Sequence, residues 1–92
     1  MLRIQRKANG KVVFTLSGRI EAQDAGELRR LFELEAISSK IALDLKDVTL
    51  VDRDAVKFLA VCEADGMQFE NCPAYIREWI RRENGLMRRR TQ

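Results

Sequence analysis

Asp52, Arg53, Asp54 and Ala55 are the residues of this chain best placed to do chemistry, because they stand where an apolar run meets a helical pattern. Leu50 and Val51 end in Asp52, and Ala55, Val56, Leu59 and Ala60 follow at helical spacing. Asp52 is therefore an expected N-cap, its carboxylate accepting orphan N–H groups at the positive end of the helix dipole. A strand that feeds directly into a capped helix start is also where many α/β proteins meet a partner or an anion. Other reactive constellations are missing. The chain has no histidine, which excludes histidine-ligated zinc and any Ser-His-Asp or Cys-His nucleophile. Cys62 and Cys72 form no CxxC pair and fall in or beside apolar helical segments, so both read as buried thiols and not as a disulfide. Ser17, Ser38 and Ser39 lack a base and read as turn formers. Glu21 and Asp24 read as helix-start acids, since no nucleophile accompanies them. With no phosphate-cradling glycine loop, metal constellation or catalytic dyad, the expectation is a non-enzyme without metal or cofactor.

The 92 residues suit one modest core. A hydrophobic content of 46% with 34% charged residues is that of a globular chain, not a disordered one. No apolar stretch approaches the roughly 20 residues that cross a bilayer. Arg3, Arg6 and Lys7 interrupt the N-terminal apolar residues, so no signal-peptide core is present and a cytoplasmic location is expected. The net charge of +3 is unevenly spread. Residues 81–92 hold Arg81, Arg82, Arg88, Arg89 and Arg90 against Glu83, a net +4 that leaves residues 1–80 at −1. The expectation is one domain over residues 1–82 with a basic, flexible tail over 83–92, and nucleic acid is not the expected partner.

The elements that position Asp52 follow from periodicity. Leu2–Arg6 alternates as an edge strand, Asn9-Gly10 signals a hairpin, and Val12–Leu16 is a second strand closed at Ser17-Gly18. From Ala22 to Ala36, residues Ala25, Leu28, Leu31, Phe32 and Glu35 share one helical face, which Ser38-Ser39 ends. Lys40–Leu45 is apolar enough to be a central strand covered on both faces, and Thr49–Val51 extends it past a bulge at Lys46-Asp47. A helix over Arg53–Ala64 stops at Asp65-Gly66, Met67–Glu70 is a short strand, and Pro73 sits near N1 of a last helix. Tyr75, Ile76, Trp79 and Ile80 form the apolar stripe of that helix, which docks on the sheet. The resulting order is ββαβαβα: an α/β fold with a mixed, mostly parallel sheet and an antiparallel N-terminal edge strand.

Two segments, VVFTLSGRIEAQDAGELRRLF (Val12–Phe32) and IALDLKDVTLVDRDAVKFL (Ile41–Leu59), carry a resemblance to the STAS domain family, the anti-sigma-factor-antagonist fold. The first looks like that family's strand, turn and first helix, and the second like its D-L-x-x-V-x-x-h-D-S-S-G segment. The likeness covers about residues 2–70. It implies a non-catalytic interaction module that binds a kinase-like anti-sigma factor, or, in serine-less members, an accessory subunit beside an ABC-type ATPase. The family's Asp-Ser-Ser-Gly loop corresponds to Asp52, Arg53, Asp54 and Ala55. Asp54 thus stands where the family carries its phosphorylated serine, and no phosphorylation is expected. A fixed carboxylate there carries one negative charge, against about −1.5 to −2 for phosphoserine. The resemblance implies a partner surface of Arg19, Asp52, Arg53, Asp54, Ala55 and Val56. A homodimer through the Leu2–Arg6 edge or the Trp79 helix stays open.

Overall fold

Two strands, β2 (Lys11–Ile20) and β3 (Ile41–Val51), pair in parallel at the centre of a four-stranded sheet. β1 (Leu2–Asn9) joins β2 antiparallel and β4 (Gln68–Glu70) joins β3 parallel, giving the spatial order β1-β2-β3-β4. The helices are α1 (Ala22–Glu33), α2 (Arg53–Ala64) and α3 (Ala74–Arg90), so the chain order is the expected ββαβαβα. The computed structural model describes residues 2–35 and 40–90. The predicted helix stop at Ser38-Ser39 lies outside the described residues.

Local chemistry accounts for the turns. Gly10, at φ +81°, supplies the left-handed residue that folds β1 back on β2. At the end of α2, Gly66 has φ +96°; its N–H donates to the Glu63 carbonyl and the Met67 N–H donates to Cys62. This pair of bonds is a Schellman motif, which satisfies helix carbonyls that would otherwise lack donors.

One face of the sheet carries the core. Val12, Phe14 and Leu16 are buried while Val13, Thr15 and Ser17 between them stay half-buried. Phe14 meets Phe32 of α1 edge-to-face at 5.3 Å between ring centroids, and Phe32 stacks on Phe58 of α2 at 6.2 Å. Leu28, Leu59, Ile76 and Ile80 join the same cluster, so each helix contributes to it. Full burial of such side chains stabilises the fold by about 1.5–3 kcal/mol each. The expectation that β3 is covered on both faces is corrected here. Leu43 and Leu45 are fully buried in the cluster, whereas Asp44 between them is half-buried beside its register partners Thr15 and Glu70. Only small Ala42 on that reverse side is sealed.

Beyond Asp44 the strand changes period. Two register shifts against β2, between Thr15/Ser17 and between Gly18/Arg19, each leave an extra residue in β3. The Asp44 carboxylate accepts the Lys46 N–H at 3.0 Å and so supports the first bulge. The inward positions become Leu45, Val48 and Val51, with Lys46, Asp47, Thr49 and Leu50 exposed. β2 correspondingly does not close at Ser17-Gly18. Gly18 takes φ +93° within the strand, which re-pairs through Ile20.

Helix α1 ends at Glu33, short of the predicted Ala36, so Glu35 leaves the helix instead of lining its inner face. Its carboxylate accepts two hydrogen bonds from the Arg6 guanidinium, at 2.9 and 2.8 Å, tying the edge strand to the end of α1. The hydrogen bond from Arg6 holds the Glu35 carboxyl below its ordinary value of 4.5. At the other end of the chain, α3 continues through Arg90, so the predicted boundary between residues 82 and 83 falls inside a helix.

Replacing Leu45 by Ala is expected to cost about 2–5 kcal/mol in urea denaturation, and Leu50→Ala less than about 0.5 kcal/mol, because only the former is buried in the core. Because the folded carboxyl of Glu35 is depressed, its stabilisation is complete above about pH 4.5 and lost as pH falls through the folded value. Thermal unfolding across that range should show Glu35→Gln less stable than the parent at neutral pH, with the difference closing in acid.

Candidate functional site

The end of β2 and the end of β3 lie side by side, with Ile20 paired to Val51, and each strand turns at once into a helix. Two helix N-termini therefore converge at one corner. Asp52 joins them. Its N–H donates to the Ile20 carbonyl at 3.1 Å, continuing the strand ladder by one residue. Its Oδ1 accepts the Ala55 N–H of α2 at 2.8 Å, and its Oδ2 accepts the Ala22 N–H of α1 at 2.9 Å. One carboxylate thus serves the first turns of both helices, at the positive ends of both dipoles. The backbone of Asp52 is extended (φ −78°, ψ 173°), as an N-cap requires, and its carbonyl accepts the Val56 N–H at 2.9 Å. The start of α1 is reinforced locally, where Asp24 Oδ2 accepts the Glu21 N–H at 2.8 Å. Glu21 and Asp24 are both helix-start acids.

Asp52 is half-buried with both oxygens engaged, while the next two residues are free to face outward. Arg53 and Asp54 are exposed in the first turn of α2. Arg19 is exposed on β2 opposite Leu50, one residue before the strand pair that ends in Asp52. Ala55 and Val56 are buried, which corrects their expected place on the exposed face: they lie on the inner side of α2, at the spacing that also buries Leu59 and Ala60. Of the six expected surface residues, Arg19, Arg53 and Asp54 are exposed, Asp52 caps both helix starts, and Ala55 and Val56 are buried beneath.

Tyr75 and Trp79 were expected in the core stripe of α3, and the structure places them at its margin. Ile76 and Ile80, one position later, take the inner face, and 3.6 residues per turn rotates Tyr75 and Trp79 outward. They are 42% and 41% exposed, pack edge-to-face at 5.8 Å, and the Tyr75 hydroxyl donates to the Thr49 carbonyl at 3.3 Å. Pro73 directly precedes α3, where its carbonyl accepts the Ile76 and Arg77 N–H groups. Before it, Asn71 takes the left-handed φ of +54°.

The thiols offer little reactivity. Cys62 is buried, and burial pushes its thiol up to about 11; Cys72 is half-buried and is raised by the same cause. Thiolate is the reactive form, so both are poor nucleophiles near neutrality. Among the described residues no three His, Cys, Asp or Glu side chains stand together in a way that could hold a metal ion. No helix among them is long and apolar enough to cross a membrane. The corner thus presents the exposed charges of Arg53 and Asp54 on a helix start that Asp52 ties to its neighbour.

Asp52→Ala is expected to destabilise the protein by about 2 kcal/mol in chemical denaturation, because it releases two N–H groups from a charged acceptor. Asp54→Ala, which removes only a dipole contact, should cost less than about 1 kcal/mol.

No family model and no curated protein matches the sequence. Solved structures do. The chain is similar to an uncharacterized protein from the DUF3478 family with a SpoIIAA-like fold from Shewanella loihica PV-4, at a TM-score of 0.54 and 13% identity, over 71% of this chain and 57% of that one. It is also similar to a structure described as Mglu, at a TM-score of 0.55 and 23% identity, over 78% of this chain and 19% of that one. The chain therefore spans little more than half of the first protein and about a fifth of the second. Its fold is SpoIIAA-like, as the STAS resemblance implied.

Proposed function

We propose that this chain is a non-catalytic, anti-sigma-factor antagonist-like interaction module that meets a protein partner with Arg19, Arg53 and Asp54 and is not switched by serine phosphorylation. The observation that carries this reading is the first turn of α2, where exposed Asp54 occupies the place that the STAS resemblance gives to a phosphorylated serine. No hydroxyl stands at positions 52–55, so a serine kinase has no acceptor there. The Asp54 carboxylate needs no kinase to supply it, and Asp52 caps the helix start that carries it. Such a surface suits a partner bound constitutively, in a compartment where both share the cytoplasm. A fold hosts many functions, so the reading rests on this corner and not on topology alone.

Titration of the full chain against the kinase-like anti-sigma regulators of its own organism, with and without ATP, tests the reading. Binding that is indifferent to ATP and weakened about tenfold or more by Asp54→Arg or Arg19→Glu is expected. If both variants bind every such partner as the parent does, or no partner binds, the proposal fails. Binding of an ABC-type ATPase in place of a kinase-like regulator would instead select the role of accessory transport subunit.

A further inference from the structure

Beside the charged corner lies an open groove of about 330 Å³ between the start of α2 and the outer side of α3, lined by Val51, Arg53, Val56, Trp79, Arg82 and Glu83. That volume is at the small end of the range for ligand pockets and suits one or two large side chains. Its floor is apolar, because Val51 and Val56 are buried members of the core. Its wall is the half-exposed Trp79 ring, held edge-to-face by Tyr75, which the Thr49 carbonyl in turn anchors. An indole restrained in this way presents apolar area with little rotamer freedom left to lose on binding.

The rim decides what would occupy it. Arg53 has no ion-pair partner among the described residues. Among the described residues Arg82 pairs with Glu78 of its own helix, at 3.5 Å, with both side chains half or more exposed, a pair worth little and easily exchanged. Two guanidiniums thus flank an apolar slot, offering planar, bidentate donors to carboxylates. Glu83 is the single acid of the lining, and it disfavours a polyphosphate backbone while offering an acceptor to a peptide N–H.

We infer that this groove binds a short acidic segment of a partner protein, with a large apolar side chain between Trp79 and Val56 and carboxylates on Arg53 and Arg82. The inference rests on the interaction-module reading and adds the chemistry of the partner: its contact segment carries aspartates or glutamates beside a bulky apolar residue.

Trp79 is the only tryptophan of the chain, so its emission reports on this groove alone. Panning a displayed library of random peptides on the full chain is expected to enrich sequences with a large apolar residue flanked by acids. The synthetic peptide of the enriched consensus should shift the Trp79 emission. In calorimetry, Arg53→Glu and Arg82→Glu should each weaken that peptide about tenfold. Both positions are exposed, and unchanged circular dichroism would establish that the variants fold. The inference is overturned if no sequence is enriched, if the consensus is basic or uncharged, or if both charge reversals leave binding unaltered. An oligothymidylate that moves the emission through Arg53 where acidic peptides do not would overturn it as well. A regulator that loses affinity with Asp54→Arg but not with Arg82→Glu would refute the groove while leaving the module reading intact. Peptide binding without any regulator bound would do the reverse.

Discussion

The structure turns on one carboxylate shared by two helix starts. Each α-helix leaves its first N–H groups without intrahelical partners, and most proteins satisfy them helix by helix. Here β2 and β3 end as register partners, so their helices begin close enough for Asp52 to accept from Ala22 of α1 and from Ala55 of α2. Both dipoles direct their positive ends at that residue. The same contacts remove Asp52 from the outer surface and leave Arg53 and Asp54 to display the charge. Fold and candidate function share a single set of bonds.

The shape of the surrounding surface follows from the second half of β3. Regular alternation continued from Leu45 would have turned Asp47 and Thr49 inward along with Val51. Two bulges replace that alternation with a three-residue spacing, Leu45, Val48 and Val51, which keeps the core supplied while exposing Thr49 and Leu50. The Thr49 carbonyl is then available to the Tyr75 hydroxyl, and Tyr75 positions Trp79. The groove beside α2 is thus a consequence of strand register as well as of the helix that overhangs it.

Much of this was legible in the residue pattern. Asn9-Gly10, Asp65-Gly66 and Asp52 each announce a specific backbone event, and each event occurs because the chemistry is local. The bulge at Lys46-Asp47 was readable for the same reason, since Asp44 can satisfy the Lys46 N–H within two residues. What escaped depends on tertiary context. Gly18 looks like a turn, but pairing with β3 carries the strand onward through a left-handed residue. Glu35 fits the inner face of a longer α1, yet an ion pair with Arg6 of a distant strand takes it outside the helix. The four apolar residues Tyr75, Ile76, Trp79 and Ile80 span an arc wider than the core can accept, and periodicity alone does not say which edge stays wet. The second oxygen of Asp52 was equally invisible, because Ala22 is thirty residues away.

Amide hydrogen exchange measured residue by residue on Asp52→Ala addresses the shared carboxylate most directly, since exchange reports the opening of individual N–H groups. The account predicts that the amides of Ala22 and Ala55 lose protection together while the paired amides of β2 and β3 keep theirs. Loss confined to Ala55, with Ala22 exchanging as in the parent protein, would contradict it and reduce Asp52 to an ordinary cap of one helix.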